Sequence, residues 1–333
     1  MSIRLQQTFS GGCAGKCPRG LVEDVIEICQ GYGHEIEWSD CNRIPEMEGE
    51  LIQSVDVINQ IVPDPKTFGR IAAAHACSDI YVSGGKPVIC NMILGVPRHT
   101  PHDNVMEAVR GAAAHMSDQG VQIRGGHTIH SERLQLGFSV IGHRPRLMTK
   151  GPILKGDLLL LTKPIGTGLM ASSFHSGVDS TNWEGELLEV LKEPNYVGIA
   201  LCNHPSVKAV TDITGFGLAF GIEQLCGLQA HATIWFESIP VFPDWERFAL
   251  EGYYPSLAYR NKEMMSFENE DRISDWRELL LYDPQTNGST LSIVSCDALS
   301  SLSEELVASG SHLHVIGRIG GDVHRLKEVQ NGD

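Results

Sequence analysis

The sequence predicts an α+β protein built as two successive α+β halves. Runs rich in Val and Ile that alternate with polar residues recur along the chain. Alanine- and leucine-rich runs of helical spacing fall between them, and glycine pairs or prolines close most runs. A length of 333 residues suffices for two domains of ordinary size, each with its own core.

The elements follow in order. Residues 1 to 18 lack a hydrophobic period and carry glycines at 11, 12 and 15, so they predict an arm rather than part of a core. From Leu21 the positions Leu21, Val25, Ile28 and Cys29 repeat at helical spacing, with Pro18 suited to the start. LIQSVDVINQIV (51–62) alternates and predicts a strand. FGRIAAAHACSDIYVSGGKP (68–87) predicts a helix stopped at Gly84-Gly85, with Pro87 beyond. VICNMILGV reads as a buried strand and NVMEAVRGAAAHMSDQG as a second helix ended by Gly120. RGGHTIHSE (124–132) reads as a Gly-Gly turn carrying His127 and Thr128, and LQLGFSVIGH as a strand. The basic turn RPRLMTKGPILKGD puts a domain boundary near residue 150. Behind it come the buried strand LLLLTKPIGTG, a helix beginning near its glycine loop, the segment VTDITGFGLAFGIEQLCG, and the strands HATIWF and STLSIV.

Composition limits the function. The net charge of -15, from 41 acidic and 26 basic residues, opposes nucleic acid phosphates and suits divalent cations. No apolar run reaches the roughly 18 residues a membrane helix needs, and MSIRLQQTFSGG has no signal-peptide core. Nine cysteines spread along the chain do not form a disulfide framework. A cytoplasmic protein that binds neither nucleic acid nor membrane is expected.

Four aspartates, Asp40, Asp56, Asp79 and Asp212, stand where an element ends or turns, and such carboxylates can hold Mg²⁺. Taken singly, each is as well explained as a helix cap or turn residue. The loops SGGKP, IGTG and TGFG would let backbone amides approach phosphate, although turns need glycine anyway. In GGCAGKCPRG, Lys16 near Cys13 favours the thiolate. A zinc site starting at Cys13 and Cys17 lacks a second ligand pair of matching spacing.

Taken in order, GGCAGK, VDVINQIVPDPKTFGRIAAAHACSDIYVSGGKP, GGHTI, LTKPIGTG, TDITGFG and YDPQTNG resemble the selenophosphate synthetase (selenide, water dikinase) family over nearly the whole chain. The resemblance implies an aminoimidazole ribonucleotide synthetase-like fold, with a catalytic arm over 1–18, an ATP- and Mg-binding domain over 19–150 and a second α+β domain over 151–333. It implies a homodimer whose N-terminal domains pair into a shared β-barrel. It also implies that ATP, selenide and water give selenophosphate, AMP and orthophosphate. By motif, Cys13 and Lys16 are catalytic, and Cys17 is a bystander. Asp40, Asp79 and Asp212 hold Mg²⁺, while Lys16, Asp40, Asp56, Asp79, Gly125, Gly126, His127 and Thr128 contact the nucleotide. K⁺ is a further candidate cation and a selenium-delivery protein a candidate partner. The chain departs from the family pattern at Ser39, His75, His130 and Ser289. Those departures motivate two alternatives: a paralogue acting on another small nucleophile such as sulfide, or a non-catalytic nucleotide-binding regulator.

Overall fold

The computed structural model describes residues 17–36, 41, 44–46, 48–145, 150–179, 182–227, 231–265, 273–308, 310–320 and 327–328. Its first elements are α1 (Arg19–Gly31), β1 (Glu50–Asn59), α2 (Pro65–Val82), β2 (Lys86–Val96), α3 (His102–Asp118), β3 (Gln122–His130) and β4 (Gln135–Arg144). Then come β5 (Leu158–Leu161), α4 (Thr167–His175), α5 (Glu184–Lys192), α6 (Val197–Asn203), β6 (Val207–Asp212) and α7 (Gly217–Cys226). The rest are β7 (His231–Ile234), α8 (Trp245–Leu250), α9 (Ser256–Met264), α10 (Asp275–Glu278), β8 (Thr290–Val294), α11 (Leu299–Ala308), β9 (His314–Gly320) and β10 (Lys327–Glu328). Among the described residues the strands form two sheets, ordered β1-β4-β2-β3 and β10-β7-β9-β5-β8-β6. The α+β class read from the sequence is the class observed.

The chain divides into two compact units. One comprises residues 1–44, 55–73 and 89–139, and the other 45–54, 74–88 and 140–333. In the second unit, Leu158–Leu161 pairs antiparallel with β8 on one side and β9 on the other. All four leucines are buried, and Leu158 and Leu160 pack with Leu201, Val207, Val294, Leu302 and Leu306. A strand covered on both faces has no reason to alternate, and that explains the unbroken apolar run.

The predicted helix that carries Asp79 forms as α2. α2 ends in a turn in which the amide of Gly84, at φ 76, bonds the Tyr81 carbonyl. The Gly-Gly turn predicted at residues 124–132 is instead β3, running parallel to β2 with Gly126 opposite Met92. A Cβ on Gly126 would lie 2.2 Å from the Met92 carbonyl oxygen. That glycine is set by strand-to-strand approach rather than by a turn. Asp56 lies within the predicted strand, in the interior of β1 and not at an element's end.

Candidate active site

The second unit brings together two of the predicted acids. Asp79 lies in the last turn of α2 and Asp212 is the final residue of β6. Each carboxylate has its own hydroxyl donor. Ser54 Oγ donates to Asp79 Oδ2 at 2.5 Å, and Ser78 Oγ donates to Asp212 Oδ2. Burial pushes the Asp212 carboxyl up to about 6, and the charge of Asp79 pushes the same way, while Ser78 and Lys163 oppose them. Lys163, only 3 % exposed, donates from Nζ to the backbone oxygens of Glu193 at 2.5 Å and Asn287 at 3.4 Å. Burial brings its ammonium down to about 8, with Glu193 and Asp212 resisting.

Two like charges close enough to disturb one another, with a single buried ammonium beside them, leave a local excess of negative charge. A hard divalent cation relieves that excess, and carboxylate oxygens are the donors it prefers. The residues therefore fit Mg²⁺. Among the described residues no group of three His, Cys, Asp or Glu could hold a metal. Asp40, the third predicted ligand, lies outside the described residues, as do Cys13 and Lys16.

The IGTG loop behaves differently from the expectation that its amides approach phosphate. The amides of Gly166 and Thr167 donate to Gln285 Oε1 at 3.0 Å each, and those of Gly168 and Leu169 donate to Asp283 Oδ2 at 3.0 and 3.2 Å. The first turn of α4 is thus capped by side chains from the YDPQTNG segment, and these amides are already committed. Two departures from the family pattern find local partners here. His75, one turn before Asp79, accepts the Asn287 amide on Nδ1 at 3.1 Å, and burial drives its imidazole down to about 4, so it is neutral. Ser289 Oγ accepts the amides of Thr162 and Lys163 at 2.8 and 2.9 Å.

In the first unit, half-buried Asp56 and the Gly125–Thr128 stretch do not meet. They lie on β1 and β3, the opposite edges of the sheet, about 14 Å apart at the usual strand spacing. Cys17 is buried at the start of α1, its Sγ 4.0 Å from His130 Nδ1, which also lies 3.2 Å from the Val96 carbonyl oxygen. Burial raises its thiol, with Thr128 and Arg98 pulling the other way. Sequence reasoning passed over Ser54, Ser78, Lys163, Asn195, Asp283 and Gln285. Lys163, Asp283 and Gln285 stand inside quoted motifs, whereas nothing near Asn195 in the chain marks it.

The chain belongs to the AIR synthase related protein family: the N-terminal domain model matches residues 38–143 and the C-terminal domain model residues 155–325. Within that family it is similar to selenide, water dikinases. It is 33 % identical over 336 residues to the selenide, water dikinase of Salmonella typhi, covering 96 % of this chain and 95 % of that protein. It is 29 % identical over 330 residues to selenide, water dikinase 2 of Peptoclostridium acidaminophilum, covering 95 % of each. Among solved structures, the hydrogenase maturation protein HypE in complex with ATP superposes with a TM-score of 0.69 at 17 % identity, over 94 % of this chain and 88 % of that one. That likeness establishes the fold.

Proposed function

We infer that this protein is a selenide, water dikinase, using ATP, selenide and water to form selenophosphate, AMP and orthophosphate. One observation carries the reading: within a chain alike end to end to enzymes of that name, half-buried Asp79 follows Ser78, the serine that bonds buried Asp212, so that the two acids lie close enough for their charges to conflict. Such a pair suits a site where Mg²⁺ joins carboxylates to a triphosphate. Asp79 and Asp212, with Asp40 supplied by motif, would hold the metal, and Asp56 would contact the nucleotide. Bound there, Mg²⁺ would neutralise charge on the phosphoryl oxygens. Ser54 and Ser78 keep the two described carboxylates oriented, and Lys163 supplies a fixed positive charge behind Asp212. Gly125, Gly126, His127 and Thr128 would contact the nucleotide. Lys16 would stabilise charge during phosphoryl transfer, and Cys13 would hold or deliver selenium.

The expected homodimer belongs to the same reading. The outward face of β1 carries Leu51, Val55 and Val57 at 56, 60 and 44 % exposure, apolar side chains on an edge strand. A second copy pairing its sheet into a barrel would cover them. The arm over 1–18, the nucleotide domain over 19–150 and the second domain over 151–333 complete the proposal. No helix among the described residues is long and apolar enough to cross a membrane, and a cytoplasmic location is part of the proposal.

Anaerobic phosphorus NMR tests the function. Selenophosphate and AMP should appear together only when ATP, selenide and Mg²⁺ are all present. Sulfide in place of selenide should give neither. Absence of selenophosphate from the complete mixture would overturn the assignment.

A further inference from the structure

Asn195 sits in the short link between α5 and α6, and its side chain is buried. Its Nδ2 donates twice, to Ser78 Oγ at 2.8 Å and to the Gly288 carbonyl oxygen at 3.0 Å. Among the described residues its buried Oδ1 has no hydrogen-bond partner. An unpaired buried amide oxygen is costly, so the two donations it accompanies require an explanation.

The explanation lies in Ser78. This serine is inside α2, where a hydroxyl ordinarily turns back to the carbonyl four residues earlier, here that of Ala74. An amide NH₂ group can only donate, so Ser78 Oγ must accept from Asn195. With its acceptor side occupied from that direction, the single Ser78 proton is directed to Asp212 Oδ2. The site of Asn195 is itself fixed. Its carbonyl accepts the Gly198 amide at 2.9 Å, and a Cβ on Gly198 would lie 2.8 Å from the Tyr81 carbonyl oxygen, so α6 rests directly on α2.

We propose that Asn195 is a positioning residue that turns the Ser78 hydroxyl toward Asp212 and so presents the outer oxygen of that carboxylate to a divalent cation. The inference rests on the reading of Asp212 as a Mg²⁺ ligand. The relay Asn195–Ser78–Asp212 joins three elements, the α5–α6 link, α2 and β6, none adjacent in sequence.

The test uses the full-length protein. Mg²⁺ half-saturation is measured by calorimetry with a non-hydrolysable ATP analogue and by AMP release, for Asn195→Ala, Ser78→Ala, their double variant, Asn195→Asp and Ser78→Thr. Asn195→Ala should raise the Mg²⁺ half-saturation about tenfold, the loss expected of one charge-assisted hydrogen bond, with kcat at saturating Mg²⁺ nearly restored. Asn195→Asp should be worse, because its carboxylate accepts the Ser78 proton itself. Ser78→Thr should bind Mg²⁺ as the natural protein does, and the double variant should be no worse than Ser78→Ala. An unchanged half-saturation in Asn195→Ala, or losses that simply add, would overturn the proposal. A companion set of metal-free unfolding measurements separates this inference from the functional reading. Asn195→Ala and Asp212→Ala should be coupled when Ser78 is present and independent when it is alanine. If the natural protein shows no Mg²⁺ dependence, the functional reading falls, and this coupling still decides the relay: its presence upholds it and strict additivity refutes it.

Discussion

Asp283 and Asp212 are both buried acids of the second unit, and burial raises both carboxyls, to about 7 and about 6. Their surroundings are opposite in kind. Asp283 Oδ2 receives two backbone amides at the positive end of α4 and the side-chain amide of Gln285 at 2.9 Å. Its other oxygen, Oδ1, is buried with no hydrogen-bond partner among the described residues. Asp212 receives one hydroxyl and faces another carboxylate, Asp79. The first carboxylate draws three N–H donors from the chain itself onto Oδ2, whereas the second becomes favourable only when positive charge arrives. Burial and a raised carboxyl therefore do not separate a structural acid from a functional one, and the identity of the neighbours does.

The sharpest way to break this comparison is to neutralise each acid. Asp79→Asn and Asp212→Asn should each lower ATP-dependent AMP formation on the order of 10³-fold. Neither should lower the metal-free thermal midpoint, because each removes one of two like charges. Mg²⁺ should raise that midpoint in the natural protein and fail to do so in either variant. Activity within tenfold of the natural protein in both would show that the conflict of charge serves no catalysis.

The next largest effect belongs to Asp283 and the helix end it caps. Asp283→Ala leaves the Gly168 and Leu169 amides without their cap and should cost roughly 2–4 kcal/mol in urea unfolding. Gly168→Ala should do similar damage, since its Cβ would meet the Pro284 carbonyl oxygen at 2.3 Å. In both, AMP formation per folded molecule should stay near natural. A variant that unfolds normally and yet loses turnover would move Asp283 from scaffold to chemistry.

The contrast also marks what the sequence could disclose. Elements with a periodic core face were legible: α2 and β1 lie where alternation and helical spacing put them, and the leucine run at 158–161 is the buried strand it resembles. Motif order singled out Asp79 and Asp212, which lie in the same unit, Asp79 next in the chain to the Ser78 that bonds Asp212. Cap relations were not legible. Asp283 and Gln285 bond residues more than a hundred positions earlier, and no local pattern encodes such a pairing. The RGGHTIHSE stretch misled for a similar reason. Paired glycines signal a turn only when the chain must reverse, and here Gly126 serves a neighbouring strand that the local sequence does not reveal. Asp56 and Thr128 were grouped by motif, yet a single sheet holds them at opposite edges.

A pH series sharpens the comparison at smaller scale. The unfolded Asp283 carboxyl titrates near 3.8 and the folded one near 7, so between those values the native state binds more protons than the unfolded state. Its contribution to stability is fully present below about pH 4 and is lost as the pH rises through 7. Asp212 contributes in the same direction up to about pH 6. Metal-free urea midpoints should therefore fall between pH 4.5 and pH 7.5 on account of these groups. Asp283→Asn should flatten that slope, while added Mg²⁺ should flatten only the part due to Asp212. Identical slopes in the natural protein and Asp283→Asn would count against the raised carboxyl.

The smallest effect is expected in the first unit, where Cys17 repeats the logic of Asp283 with a weaker group. Its thiol is held up by burial, its backbone amide bonds the Thr128 carbonyl at 3.5 Å, and His130 lies against its sulfur. Among the described residues nothing around it calls for a ligand. Cys17→Ser exchanges a buried thiol for a hydroxyl of similar shape and should cost about 1 kcal/mol of stability while leaving selenophosphate yield per ATP unchanged. Cys13→Ser, by contrast, should lower that yield even where ATP is still hydrolysed. A coupled loss of yield in Cys17→Ser would place a second thiol in selenium handling and would end its reading as a packed side chain.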